Sequence, residues 1–206
     1  MKPVVVGITG ASGAAYAVRL VKALCELERD VSLVLSDPAR LVIKEELGIT
    51  LRNLSHPDAL GDLLGPGFGK RITIYSVKDF TSPIASGSYP VHSMVIIPCS
   101  MGTLGAVANG MSQNLIHRAA DCMLKENRRL VMVPRETPLN AVHLENMLKL
   151  CRLGVRMVPA MPAFYSGART VEELVDFVVG KVLDQLEIDH ALYPRWTGSL
   201  EGTHKE

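Results

Sequence analysis

Gly7, Gly10 and Gly13 are spaced three apart between an apolar run and a helical period. Glycines at such a junction let the backbone approach a ligand, and the free N–H groups of the helix N-terminus attract an anion. Ser12 adds a hydroxyl to the loop Thr9-Gly10-Ala11-Ser12-Gly13. The spacing is not the G-x-G-x-x-G of dinucleotide sites. No acidic residue closes the second strand to hold a ribose, because that strand ends in Ser36-Asp37-Pro38, a helix cap. A mononucleotide fits the pattern better than a dinucleotide, with a tight packing turn as the competing reading. Three more segments follow strand-like runs: Cys99-Ser100-Met101-Gly102-Thr103-Leu104, Val133-Pro134-Arg135-Glu136-Thr137-Pro138 and Pro162-Ala163-Phe164-Tyr165. Ser100 and Thr103 open a helix, where hydroxyls cap the first turn or hold a ligand. Arg135, Glu136 and Tyr165 stand beyond strand carboxyl ends, where the ligands of open α/β sheets collect.

Basic side chains supply the rest of the candidate chemistry. Arg118 and Lys125 share a helical face with Asp121 between them, which reads equally as a charged stripe or as an anion site. Lys181 stands among Val178, Val179, Val182 and Leu183, so it either snorkels to solvent or meets an anion. Brought together, these groups would focus positive charge in a chain whose net charge is only +1. That balance predicts no nucleic-acid or membrane partner. The four cysteines, Cys25, Cys99, Cys122 and Cys151, form no C-x-x-C pair and read as buried free thiols of a reducing cytoplasm. Cys99 has no histidine near it in sequence to make it a nucleophile. His143-Leu144-Glu145 lacks a second histidine at metal spacing, so a structural or exposed His143 is expected. No Asp-rich magnesium motif is visible, and a metal-free site is expected.

These residues need a scaffold, and apolar periodicity describes one. Val4–Thr9, Val31–Ser36, Arg71–Tyr75, Met94–Pro98, Leu130–Pro134 and Val155–Pro159 read as strands. Helices are expected over Ala14–Leu27, from Pro38 to about Leu47, and over Thr103–Val107, Leu115–Glu126, Ala141–Leu153 and Val171–Leu186. Such alternation predicts an α/β fold with a parallel sheet covered on both faces. Ser55–Lys70 reads as surface connection, and Lys78–Pro90 as a long loop of the kind that often carries function. With 206 residues, 48% of them hydrophobic, the chain suits a single domain. No run approaches the ~20 apolar residues of a membrane span, and the N-terminus does not read as a signal peptide. Residues 1–187 form the expected domain and 188–206 a C-terminal tail. The tail, with Leu192, Tyr193 and Trp196, docks on its own domain, docks on a neighbouring subunit, or stays loose.

The motifs together resemble those of the UbiX-like flavin prenyltransferases from about Val4 to Trp196. The match rests on Thr9–Gly13, Ala85-Ser86-Gly87-Ser88, Cys99–Leu104, Arg118–Lys125, Val133–Pro138, His143–Leu148 and Pro162–Tyr165. The resemblance implies a single-domain Rossmann-like or flavodoxin-like three-layer fold. It implies transfer of a dimethylallyl group from dimethylallyl phosphate to N5 and C6 of reduced FMN, making prenylated FMN for a UbiD-like decarboxylase. It assigns FMN to Gly10, Ala11, Ser12, Ser36, Ser100, Met101, Gly102, Thr103 and Arg135. Tyr165 and Lys181 would bind the donor, assisted by Arg118, Lys125 and Ser86, Gly87 and Ser88. Phe80 and Trp196 would offer aromatic faces to the allyl cation. Glu46 and Glu136, with Ser12, match the catalytic positions. Lys181 stands where many relatives carry arginine, and Phe80 where some carry tryptophan. The resemblance also implies a cytoplasmic homo-oligomer, a dodecamer, with sites at subunit junctions. An FMN-dependent decarboxylase of cysteinyl substrates would carry an early histidine, whereas the first histidine here is His56. A flavin carrier or accessory subunit of an aromatic-acid decarboxylase is the non-enzymatic alternative.

Overall fold

The four central strands are buried at every position because they are covered on both sides, so they lack the alternation of a half-exposed sheet. In the computed structural model, which describes residues 1–51, 60–65 and 67–195, the strands are β1 (Val4–Ile8), β2 (Val31–Leu35), β3 (Ile72–Ser76), β4 (Ser93–Cys99), β5 (Leu130–Pro134) and β6 (Arg156–Met157). They form one six-stranded parallel sheet of order β3-β2-β1-β4-β5-β6. The connecting helices are α1 (Ala14–Glu26), α2 (Asp37–Leu47), α3 (Gly61–Leu64), α4 (Met101–Ala108), α5 (Leu115–Lys125), α6 (Ala141–Arg152) and α7 (Val171–Leu186). Successive strand residues enter opposite cores. Val4, Val6 and Ile8 pack with α1, α2 and α7, whereas Val5, Met94 and Ile96 pack with α4, α5 and Leu150 of α6. The expected α/β three-layer architecture is therefore the one observed.

Strand order reverses between β1 and β4, which opens a crevice at their carboxyl ends. Thr9, 2% exposed, ties that point together. Its hydroxyl donates to the Pro98 carbonyl at 2.7 Å and accepts the Ser100 N–H at 2.8 Å. The Thr9 N–H also donates to the Pro98 carbonyl, at 3.3 Å.

Helix boundaries follow local chemistry. Ser36 caps α2 by accepting from the Ala39 N–H, Pro38 occupies the first turn, and Gly48 closes the helix at φ 70°. Asn140 and His143 form a capping box on α6, so His143 is structural, as expected. α4 starts at Met101, two residues before the expected Thr103, because Ser100 is its cap. β6 is a two-residue edge strand rather than the expected Val155–Pro159, since it pairs on one side only. The Lys78–Pro90 loop contains a short turn of 3-10 helix, Pro83–Ala85. Cys25, Cys99 and Cys122 are buried, but Cys151 is exposed, which corrects the expectation for that thiol. Burial pushes the Cys99 thiol far up, which leaves it inert. Trp196, His56 and part of the Ser55–Lys70 connection lie outside the described residues.

The Thr9 tie yields a prediction. Thr9→Val keeps the side-chain shape but strands the Ser100 N–H and one bond to the Pro98 carbonyl. Urea unfolding is expected to show a loss of about 1–3 kcal/mol, the cost of leaving buried polar groups unpaired. A midpoint unchanged from wild type would show that the tie carries no stability.

Candidate functional site

Three helix N-termini meet at the carboxyl ends of the central strands. α1 begins after Gly13, α2 after Ser36 and α4 after Ser100. The Ser36 N–H donates to the Ile8 carbonyl at 3.0 Å, which draws the α2 cap against the end of β1. Ser100 Oγ accepts from the Thr103 N–H at 3.3 Å and donates to Thr103 Oγ1 at 3.1 Å. Gly10 is required for this closeness, because a Cβ there would overlap Pro38 of α2. Gly13 has φ 113°, a left-handed geometry that glycine adopts without strain. Arg135 spans the crevice from the end of β5: its N–H donates to the Cys99 carbonyl at 3.3 Å and its Nε to the Ser12 carbonyl at 3.2 Å. The expected FMN residues Gly10, Ala11, Ser12, Ser36, Ser100, Met101, Gly102, Thr103 and Arg135 thus lie around one crevice.

Glu46, from the last turn of α2, reaches back into that crevice. Its carboxylate accepts the Gly13 N–H at 3.0 Å and the Ala14 N–H at 2.8 Å, so it sits on the α1 N-terminus. Partial burial pushes the carboxyl up. The Ser12 hydroxyl, the Ala14 and Gly13 amides and the Arg135 charge outweigh it and hold the group below the ordinary glutamate value. Glu136 is exposed and bonds only locally, accepting from the Thr137 N–H at 3.0 Å.

The donor candidates lie elsewhere in the chain. Tyr165 packs edge-on against Phe177, with ring centroids 6.0 Å apart, and Phe177 meets Tyr193 at 5.1 Å. The Lys181 ammonium lies 5.6 Å from the Phe177 ring centre and 5.1 Å from that of Tyr193. Its pKa is raised, first by a hydrogen bond with Tyr193, against partial desolvation, then by the neighbouring Tyr193, Asp184 and Tyr165 oxygens. Tyr165 and Lys181 therefore share one surface. α7 runs back along the sheet until Glu187, just past its end, pairs with Arg129 before β5.

The third group packs with the opposite layer. Arg118 donates from Nε to the Ala85 carbonyl at 2.9 Å and pairs with Asp121 at 2.8 Å. Lys125 pairs with Glu126 at 3.1 Å. Its ammonium lies 2.8 Å from where a Gly87 Cβ would stand, so the lysine covers the loop directly. Ser86 and Ser88 share a hydrogen bond at 2.9 Å, and Phe80 is 48% exposed. No hydrogen bond or ion pair among the described residues joins this group, the Tyr165–Lys181 surface and the crevice. Two contributors escaped the sequence reading. Thr9 was visible only as part of a glycine loop, and Asp184, which gathers the tail beside Lys181, carries no motif.

The donor set suits a flavin mononucleotide. Loop amides, cap hydroxyls and one guanidinium match a phosphate and the polar edge of a flavin ring, and Asp37 belongs to the first turn of α2 rather than closing a ribose site. Comparison with known proteins agrees. The flavoprotein family model matches residues 1–183. The flavin prenyltransferase UbiX of Halalkalibacterium halodurans is 52% identical over 191 residues, covering 93% of this chain and 91% of the relative. The crystal structure of AnUbiX (PadA1) in complex with FMN and dimethylallyl pyrophosphate superposes with a TM-score of 0.84 at 39% identity, over 96% of this chain and 98% of that one. A dodecameric FMN-dependent UbiX-like decarboxylase from Escherichia coli O157:H7 superposes with a TM-score of 0.83 at 43% identity, over 96% and 100% of the two chains.

Glu46 supplies a pH-dependent prediction. Because its pKa is lowered by folding, its contribution is complete above the unfolded glutamate value of about 4.3 and disappears as pH falls through the folded value. Glu46→Gln is therefore expected to lower thermal stability at neutral pH and to match wild type in strong acid. A stability difference that stays constant across the acid range would contradict this role for the carboxylate.

Proposed function

The chain belongs to the flavoprotein family, among its UbiX-like flavin prenyltransferases, and from that premise we propose how its residues carry the reaction. The enzyme joins a dimethylallyl group from dimethylallyl phosphate to reduced FMN. When bound, the reduced flavin would supply N5, which exchanges its proton for the allyl carbon whose C–O bond breaks as phosphate leaves with the bonding pair, and C6, which exchanges its proton for the other end of the allyl unit once the prenyl double bond has taken up a proton. The observation that carries this reading is the meeting of the α1, α2 and α4 N-termini with Arg135 at the sheet's reversal point.

Gly10, Ala11, Ser12, Ser36 and Ser100 to Thr103 hold the mononucleotide through backbone N–H groups and hydroxyls, and Arg135 adds charge. Glu46 relays a proton beside N5. Its carboxylate is ionised at rest, so each protonation weakens the bonds to Gly13 and Ala14, and the proton is held only briefly. Ser12 orients that carboxylate, and Glu136 serves the phosphate side beyond Arg135. Tyr165 and Lys181 bind the departing phosphate, with help from Arg118, Lys125 and the Ser86–Ser88 loop. Preformed cations stabilise charge that develops on the leaving group, and the faces of Phe80 and Trp196 stabilise the allyl cation.

No hydrogen bond or ion pair among the described residues joins these three groups within one chain, which supports a site completed by neighbouring copies. Exposed apolar side chains support assembly as a homo-oligomer: Met161, Phe164 and Val171 beside Tyr165, and Val142, Leu144 and Leu148 on α6. The product is passed to a UbiD-like decarboxylase. A cysteinyl decarboxylase is less favoured, since no histidine precedes His56. Among the described residues no cluster of three or more metal-ligating side chains exists, and no helix is long and apolar enough to cross a membrane.

The test is to mix the protein with reduced FMN and dimethylallyl phosphate under a chelator and weigh the extracted flavin. A flavin heavier by the five-carbon unit is expected, and unmodified FMN would refute the reading. In the same assay, Lys181→Met and Tyr165→Phe should each lower donor efficiency by roughly 10- to 150-fold, the worth of a charge-assisted hydrogen bond, at unchanged FMN content. Wild-type efficiency in both would move the phosphate elsewhere.

A further inference from the structure

Asp184 lies one turn beyond Lys181 on α7 and gathers the chain that follows the helix. Tyr193 donates its hydroxyl to one carboxylate oxygen. Arg195 reaches the other at 2.6 Å, and His190 Nε2 reaches it at 3.2 Å. The Leu192 N–H donates to His190 Nδ1, which leaves the proton on Nε2 to face Asp184. These bonds lay residues 188–195 across α7 as a strap. Gly180 makes the close approach possible: a Cβ there would stand 2.5 Å from the Tyr193 ring and 2.7 Å from His190. Glycine inside a helix is destabilising relative to alanine, so its presence in the middle of α7 is explained by what docks on it.

The strap bears directly on Lys181. It places the Tyr193 ring beside the ammonium, while Phe177 contacts Tyr193 on one side and Tyr165 on the other. Asp184 itself stays 3.8 Å from the ammonium. Its oxygens are already engaged by Tyr193, Arg195 and His190, so it orients the lysine without consuming the N–H donors that an incoming anion needs. Lysine is a flexible point charge without the preorganised fork of arginine, and aromatic walls on two sides supply the missing constraint.

We propose that Asp184 and Gly180 are positioning residues for the prenyl donor: they pin the strap 188–195 to α7 and thereby hold Lys181 beside Tyr165. This rests on the reading that Lys181 binds the donor phosphate. Neither residue touches substrate, and their effect passes through the ammonium.

Steady-state kinetics with varied dimethylallyl phosphate at saturating reduced FMN test it, using Asp184→Asn, Gly180→Ala and Tyr193→Phe. Asp184→Asn and Gly180→Ala are expected to raise KM for the donor about tenfold, in line with a displaced charge-assisted contact, with FMN affinity unchanged. Tyr193→Phe, which keeps the ring, should have a smaller effect in the same direction. Gly180→Ala tests the docking of the strap itself, because its Cβ must displace the Tyr193 and His190 rings, and the unchanged FMN affinity separates positioning from a general loss of stability. The decisive arm is the double variant Lys181→Met/Asp184→Asn, in which the second change should add nothing to the first. Unchanged donor KM in both Asp184→Asn and Gly180→Ala, or penalties that multiply in the double variant, would overturn the proposal. If Lys181→Met alone leaves donor kinetics at wild type, the phosphate reading fails as well. If only Lys181→Met is impaired, that reading stands and the positioning role falls.

Discussion

A buried threonine hydroxyl ties β1 to β4 where the sheet reverses its order, and the crevice groups take their places from that tie. Thr9 fixes the end of β4 through Pro98 and Ser100. Ser100 in turn begins α4, and Ser36, bonded to the end of β1, begins α2. Three helix N-termini therefore open within one small volume. Each presents unpaired N–H groups, and water or a ligand must satisfy them. Glu46 already meets two of them at α1. The crevice thus gathers the positive ends of three helices, one of them already met by a carboxylate, before Arg135 contributes.

Much of this was legible in the chain. Strands covered on both faces write themselves as unbroken apolar runs, and β1, β2, β4 and β5 fall where those runs stand. The cap serines and loop glycines are equally readable, because their roles depend on neighbours within a few residues. What stayed hidden depends on contacts between distant segments. Glu46 and Gly13 are separated by 33 residues, and nothing in α2 announces that its last turn reaches another helix's start. Thr9 and Pro98 are 89 apart. Asp184 looks like any helical surface acid until His190, Tyr193 and Arg195 fold back on it. Lys181 was conspicuous for the opposite reason, since a charge among valines raises a question by itself.

Net charge is +1, and the cations assigned to the donor are kept in ion pairs within the chain: Arg118 with Asp121, Lys125 with Glu126, Lys181 with Asp184. Exposed pairs of this kind contribute little to stability, about 0–1 kcal/mol each. Such weakly held cations remain free to exchange partners. Phe164 and Tyr165, 85% and 72% exposed, are apolar surface that a lone chain gains nothing from displaying.

The central claim is that one mononucleotide crevice, formed by three helix starts at the β1–β4 reversal, is where the flavin lies. Amide hydrogen exchange with and without FMN measures this most directly. The account predicts new protection at the amides of Gly10 to Ala14, of Ser36, Asp37 and Ala39, and of Ser100 to Thr103. Protection confined to other segments, with those three loops exchanging as in the free protein, would contradict it.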